Sequence, residues 1–219
     1  MIYISREGAM SKLLKHRLPR LSLFLTLILI VQFTPSQAQG ASTDSPKVGQ
    51  MVIINKTPHD TWPIELKVSL YVEAPPKALW RVLTDYENMD EFVPHLQECN
   101  IVDRRGSKIY LEQTFKHFPI TAMHLDLEIK EEPPHKILFK RYAGNMKTYE
   151  GHWLLEQAGP KSTIFTLEVK AEPDFPVPQQ VMAWVLESEL PKGLLAMRKR
   201  ALKIAGQPEP PYSIEIISR

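Results

Sequence analysis

Acid–base chemistry needs a histidine or carboxylate held away from bulk water, and metal chemistry needs clustered ligands. The 219-residue sequence offers seven histidines and a single cysteine, Cys99. His95 and Cys99 lack the spacing of a metal site, and no second cysteine exists to complete one. His124 and Asp126 share parity with Glu128 and Lys130, so they read as solvent-side cross-strand residues. His152 shares parity with Glu150 and is placed outward as well. His117 has the parity of Phe115 but falls at a strand end beside Phe118-Pro119. No GxSxG, HExxH or P-loop is present. Two polar residues are more informative. Gln113 and Tyr149 fall on otherwise apolar faces, where an unpaired polar group costs about 1–3 kcal/mol. A ligand, a buried water or each other would satisfy them. Gly151 lies between Tyr149 and Trp153 with the same parity, leaving space for a neighbouring ring or for a ligand.

The elements that position these residues follow from periodicity. From Trp62 to Glu73 the sequence alternates, with Ile64, Leu66, Val68, Leu70 and Val72 on one face, which predicts a half-buried strand. Met51–Ile54 is a candidate small strand, and Thr57-Pro58-His59-Asp60 reads as a turn. Pro75-Pro76 ends the main strand and starts a helix over 76–85, carried by Ala78, Leu79, Val82 and Leu83. Asn88 is placed as the cap of a second short helix ending before Pro94. Six strands follow, over 96–105, 108–118, 122–132, 136–142, 147–157 and 162–171, separated by short Gly and Pro breaks. Such short connections imply a sequential antiparallel meander with one wet face and one covered face. The cover is a long helix begun at Pro176-Val177-Pro178 and stopped by Gly206, with Val181, Trp184, Val185, Ser188 and Leu195 near helical spacing. Pro191 is expected to kink or divide it. The tail 205–219 contains Pro208, Pro210 and Pro211 and is expected to be flexible.

The N-terminus reads as an export signal. Lys12, Lys15, Arg17 and Arg20 precede a charge-free run of thirteen residues, Leu21–Phe33. That run is short for a permanent span, which needs roughly 20 apolar residues. Small residues at Ser36 and Ala38 suit cleavage after Ala38, with Gly40 or retention as an anchor as alternatives. Residues 1–38 hold five basic residues (Arg6, Lys12, Lys15, Arg17, Arg20) and one acid, Glu7. Of 27 Lys+Arg and 25 Asp+Glu, 22 and 24 therefore remain, and the net charge turns from +2 to −2. This balance argues against a nucleic-acid partner, which demands concentrated positive charge. A periplasmic or secreted location follows, and a lone cysteine is compatible with an oxidising compartment.

The stretch Val68–Leu96, VSLYVEAPPKALWRVLTDYENMDEFVPHL, together with the C-terminal run containing Pro178, Pro191 and Leu194–Leu202, resembles the START-like superfamily, also called SRPBCC. The coenzyme Q-binding, polyketide cyclase/dehydrase-like branch is the one it resembles most. The resemblance implies an α+β helix-grip fold over 62–204: a curved antiparallel sheet of about seven strands wrapped around a long C-terminal helix, with two short helices after the first strand. Residues 39–61 then form an N-terminal extension. In the opening motif, Trp80, Leu79 and Leu83 would anchor the first helix against the sheet, Asp85 would bond neighbouring backbone donors in the turn, and Phe92 and Pro94 would pin the second helix at the barrel mouth.

Members of this fold resemble one another in holding a cavity between sheet and helix. The inward candidates for ligand contact are Leu111, Gln113, Phe115, Met123, Leu125, Tyr149, Trp153, Phe165, Leu167, Val181, Trp184 and Val185, with Leu127 beside them. The expected ligand is a hydrophobic small molecule, lipid or quinone-like. Ten methylenes of tail contribute roughly 8 kcal/mol gross, from which association entropy removes several. The alternatives are a cyclase/dehydratase-type enzyme built on Tyr149, Gln113 or His117, and a protein-interaction module. No cofactor, metal or catalytic residue is assigned. The basic cluster Arg198, Lys199, Arg200 and Lys203 offers peripheral contact with anionic lipid or, more simply, a solvated helix end.

Overall fold

The computed structural model describes residues 45–218, apart from His59 and 117–120. The export signal, the start of the N-terminal extension, His117 and the Phe118-Pro119 break lie outside the described residues. Among the described residues nine strands are present: β1 (Gln50–Asn55), β2 (Ile64–Val72), β3 (Leu96–Arg105), β4 (Lys108–Phe115), β5 (Met123–Glu132), β6 (Lys136–Gly144), β7 (Met146–Gly159), β8 (Ser162–Pro173) and β9 (Ser213–Ser218). The helices are α1 (Pro76–Leu83) and α2 (Gln179–Ala205), and a 3-10 turn spans Tyr86–Glu91.

The sheet order is β3-β4-β5-β6-β7-β8-β2-β1-β9. The six-strand meander β3 to β8 pairs antiparallel with its sequence neighbours, and β2 closes onto β8. The pairing of β2 with β8 is pinned by polar contacts as well as by the ladder. Ser69 and Thr166 hydroxyls lie 3.0 Å apart in a buried site, and Thr163 Oγ1 donates to the Ala74 carbonyl at 2.7 Å. The inward faces of β1 and β2 contribute Met51, Ile53, Ile64, Val68 and Leu70 to the core, and β8 adds Phe165 and Leu167.

Three expectations are corrected. The tail is not loose throughout: Ser213–Ser218 adds to β1 as a parallel strand, so the sheet has nine strands rather than about seven. The segment before it is held by Arg198, which is 1% exposed, bonds Glu73 Oε2 through Nε and NH2, and donates to the Pro210 carbonyl. Pro191 does not divide α2, which runs unbroken from 179 to 205. Burial of Pro191 among core side chains holds the helix together where one backbone donor is missing. The 3-10 turn takes Asp85, not Asn88, as its N-terminal boundary.

The opening motif is packed into the core as expected, but the Asp85 carboxylate bonds side chains rather than the backbone donors expected of the turn. Leu79 and Leu83 are buried, and Trp80 packs against the core. Asp85 accepts from Asn88 and Arg200, and the Arg200 guanidinium lies 4.5 Å from the centre of the Phe92 ring. Gly206 ends α2 in the left-handed conformation (φ 64°), and the following backbone amide bonds back to Leu202.

Candidate functional site

Alternation along β4 to β7 sends every second residue toward α2. Leu111, Gln113 and Phe115 come from β4, Met123, Leu127 and Ile129 from β5, Ile137 and Phe139 from β6, and Tyr149 and Trp153 from β7. Opposite them, α2 presents Val185, Leu186, Glu189, Leu190, Gly193, Leu194 and Met197, which recur at the 3–4 spacing of one helical face. The two surfaces do not meet fully. A cavity of about 140 Å³ remains, closed at one end by Leu83, Tyr86, Met89 and the turn Val93–Leu96.

The wall is mostly apolar, with polar groups at a few defined points. Gln113 donates from Nε2 to Cys99 Sγ at 3.2 Å, so its partner is the neighbouring strand β3. The Cys99 thiol is buried, and burial pushes its pKa up. Tyr86 donates to Glu131 Oε1 at 2.8 Å, and burial together with that bond raises its pKa. The Tyr149 hydroxyl makes no hydrogen bond to any described residue, and loss of solvent pushes its pKa up to about 12. It therefore stays a neutral phenol across the physiological range, with a proton to donate. At the turn, His95 Nε2 lies 3.1 Å from Glu189 Oε2. Glu189 Oε1 accepts from Lys192 Nζ at 2.7 Å and from Ser188 Oγ at 3.2 Å. His95 adopts a left-handed backbone (φ 64°) in this tight connection between the 3-10 turn and β3.

The space left by Gly151 is taken by a ring. A Cβ there would lie 2.9 Å from Phe139 Cζ and 2.0 Å from the Glu168 carbonyl oxygen. Phe139 is thereby seated between Tyr149 and Trp153, with ring centroids 5.5 and 6.4 Å away. Trp153 stacks on Phe165 at 5.3 Å. Tyr149, Phe139 and Trp153 form one wall of the cavity, backed by Phe165.

The expected inward residues separate into three groups. Leu111, Gln113, Phe115, Met123, Tyr149, Trp153 and Val185, with Leu127, line the cavity. Leu125, Phe165 and Leu167 are buried in the core without lining it. Val181 and Trp184 line no part of it. Val181 is half-buried one turn before the cavity, and Trp184 is 54% exposed. Trp184 precedes Leu186 by two residues, about 200° of helical rotation, and so points away from the face that turns inward. His95 and Glu189 were missed as a pair. A carboxylate at the i+4 position from Val185, on the same stripe as Gly193 and Met197, is the signal that would have found Glu189.

No curated protein sequence matches the chain. The family described as polyketide cyclase / dehydrase and lipid transport matches residues 72–198. Among solved structures, the chain is similar to the Zhui aromatase/cyclase from Streptomyces sp. R1128 (TM-score 0.59, 13% identity, 66% of this chain and 98% of that one). It is similar to human STARD10 at TM-score 0.59 and 18% identity, over 66% of each chain. It is also similar to the STAR-related lipid transfer protein from Xanthomonas axonopodis (TM-score 0.57, 12% identity, 66% of this chain and 89% of that one). These likenesses share the curved sheet and the long C-terminal helix. The family match covers more than half of the sequence, and the chain belongs to the polyketide cyclase / dehydrase and lipid transport family.

Proposed function

We propose that the protein binds a hydrophobic small molecule, lipid or quinone-like, in the space between the sheet and α2. The observation that carries this reading is the apolar cavity of about 140 Å³ under α2. An engineered apolar cavity of about 150 Å³ in another protein stays dry and takes up benzene, so a space of this size holds a ring or the end of a chain. A longer tail requires the wall to give way. Gly193 on α2 lies beside Val93 near the His95–Glu189 contact, and the missing backbone donor at Pro191, two residues before it, makes this the place where opening costs fewest backbone bonds. Family membership supports the same reading at the level of ligand class. The test is organic extraction of the purified protein followed by mass spectrometry, with thermal shifts on added quinone and decanol. Recovery of a hydrophobic compound is expected; no extract and no shift with either probe would overturn the reading.

A cyclase/dehydratase-type activity on a polyketide-like substrate is the second reading. His95, Glu189 and the proton-bearing Tyr149 hydroxyl share the cavity wall, and acid–base catalysis needs such groups beside an enclosed substrate. Retention of full turnover by a His95→Gln, Tyr149→Phe double variant would remove it. Export through residues 1–38 is proposed on the basic n-region, the apolar run Leu21–Phe33 and the small residues before the cleavage site, and N-terminal sequencing of protein recovered from a periplasmic fraction checks it. Peripheral contact with anionic lipid is less favoured, because Arg200 pairs with Asp85 and Glu91, and Lys199 lies 3.8 Å from Glu209.

A further inference from the structure

The cavity's charge content narrows its ligand. Glu189 is the carboxylate on the described wall, and it is held there rather than turned outward. Among the described lining residues there is no lysine or arginine. His95, the lining residue able to carry positive charge, directs Nε2 to Glu189. Lys192 reaches the same carboxylate from the exposed side of α2. Among the described residues, the positive charge near the cavity is therefore directed to a resident anion. An incoming carboxylate or phosphate would be desolvated beside Glu189 with no further cation among the described lining residues to receive it, and burying such a charge unpaired is strongly unfavourable. A neutral ligand meets the opposite situation, since the Tyr149 hydroxyl has a proton and no partner among the described residues.

Resting on the binding function proposed above, we infer that the site selects an uncharged hydrophobic ligand carrying a carbonyl or hydroxyl oxygen, which accepts a hydrogen bond from Tyr149, and rejects the corresponding carboxylate. Fatty acids and lipids whose anionic headgroup would have to enter the cavity are the wrong class. Ketones, phenols, quinones and alcohols are the right one.

Matched probes test this on the full chain by isothermal titration at pH 7.5: acetophenone against benzoate, and decanol against decanoate. The neutral member of each pair is expected to bind at least about tenfold tighter, the equivalent of one uncompensated charge contact. Glu189→Gln removes the resident charge and is expected to narrow that gap by strengthening the anion. Tyr149→Phe is expected to weaken acetophenone roughly threefold to tenfold, the value of one hydrogen bond. Equal binding of neutral and anionic probes by the wild type overturns the inference while leaving the cavity function standing. A gap unchanged in Glu189→Gln overturns it also. Failure of all four probes to bind overturns the binding function itself, and this inference with it.

Discussion

The two ends of α2 face the same sheet and behave differently. From Val185 to Met197 the helix borders open space, and the carboxylate on that face, Glu189, holds a half-exposed histidine and a solvent-side lysine. From Arg198 to Leu202 its inward residues Arg198, Ala201 and Leu202 are buried, and Arg198 is clamped by Glu73, the Pro210 carbonyl and the Tyr212 ring. A cation buried to 1% exposure leaves no route for exchange. The His95–Glu189 pair instead borders space that a ligand can enter. One helix thus combines an anchor with a cavity-facing surface, and the position of each salt bridge tells which end is which.

The largest expected effect is at the anchored end. Arg198→Ala leaves the Glu73 carboxylate without its partner and frees the tail, and should cost about 3–5 kcal/mol, read as a fall in the urea midpoint. Next comes the aromatic wall. Gly151→Ala forces a methyl group against Phe139 and the Glu168 carbonyl and should cost about 1–3 kcal/mol, read by thermal unfolding. At the open end, Glu189→Gln should change stability by less than about 1 kcal/mol; a loss equal to that of Arg198→Ala would erase the contrast between the two ends. The smallest effect concerns His152, whose pKa is lowered chiefly by burial. The folded state then binds its proton less readily than the unfolded chain. Its contribution is present above the ordinary histidine pKa of about 6.5 and is lost as pH falls below it. His152→Gln should make the melting temperature slightly less sensitive to pH between 7.5 and 5.5.

Much of this fold was legible in the sequence because the meander is built from strict alternation broken by Gly and Pro. The β3 boundaries, Leu96 and Arg105, follow directly from it, and so does the end of α2 at Gly206. The inward set on the sheet was legible for the same reason, because parity decides it. The helix was harder. Its true inner stripe includes Glu189 and Gly193, which hydrophobicity does not mark, while the bulk of Trp184 drew the expected stripe to the wrong side. The ninth strand was hidden because Pro208, Pro210 and Pro211 precede it, and six residues of Ser213–Ser218 alternate too briefly to announce a strand. What completes that strand is a long-range bond from Arg198 and pairing with β1, neither of which is local in sequence.

The central claim, that the gap beneath α2 is where ligand resides, is tested most directly at Gly193. A Cβ there has its nearest neighbour, Val93 Cγ1, 4.0 Å away, so a longer side chain has room to start and extends into the cavity. Titration of acetophenone into wild type and Gly193→Leu, with the melting temperature of each recorded, is the decisive comparison. The account predicts saturable binding by the wild type and its loss in a variant that still folds. Undiminished binding by a folded Gly193→Leu protein would contradict it.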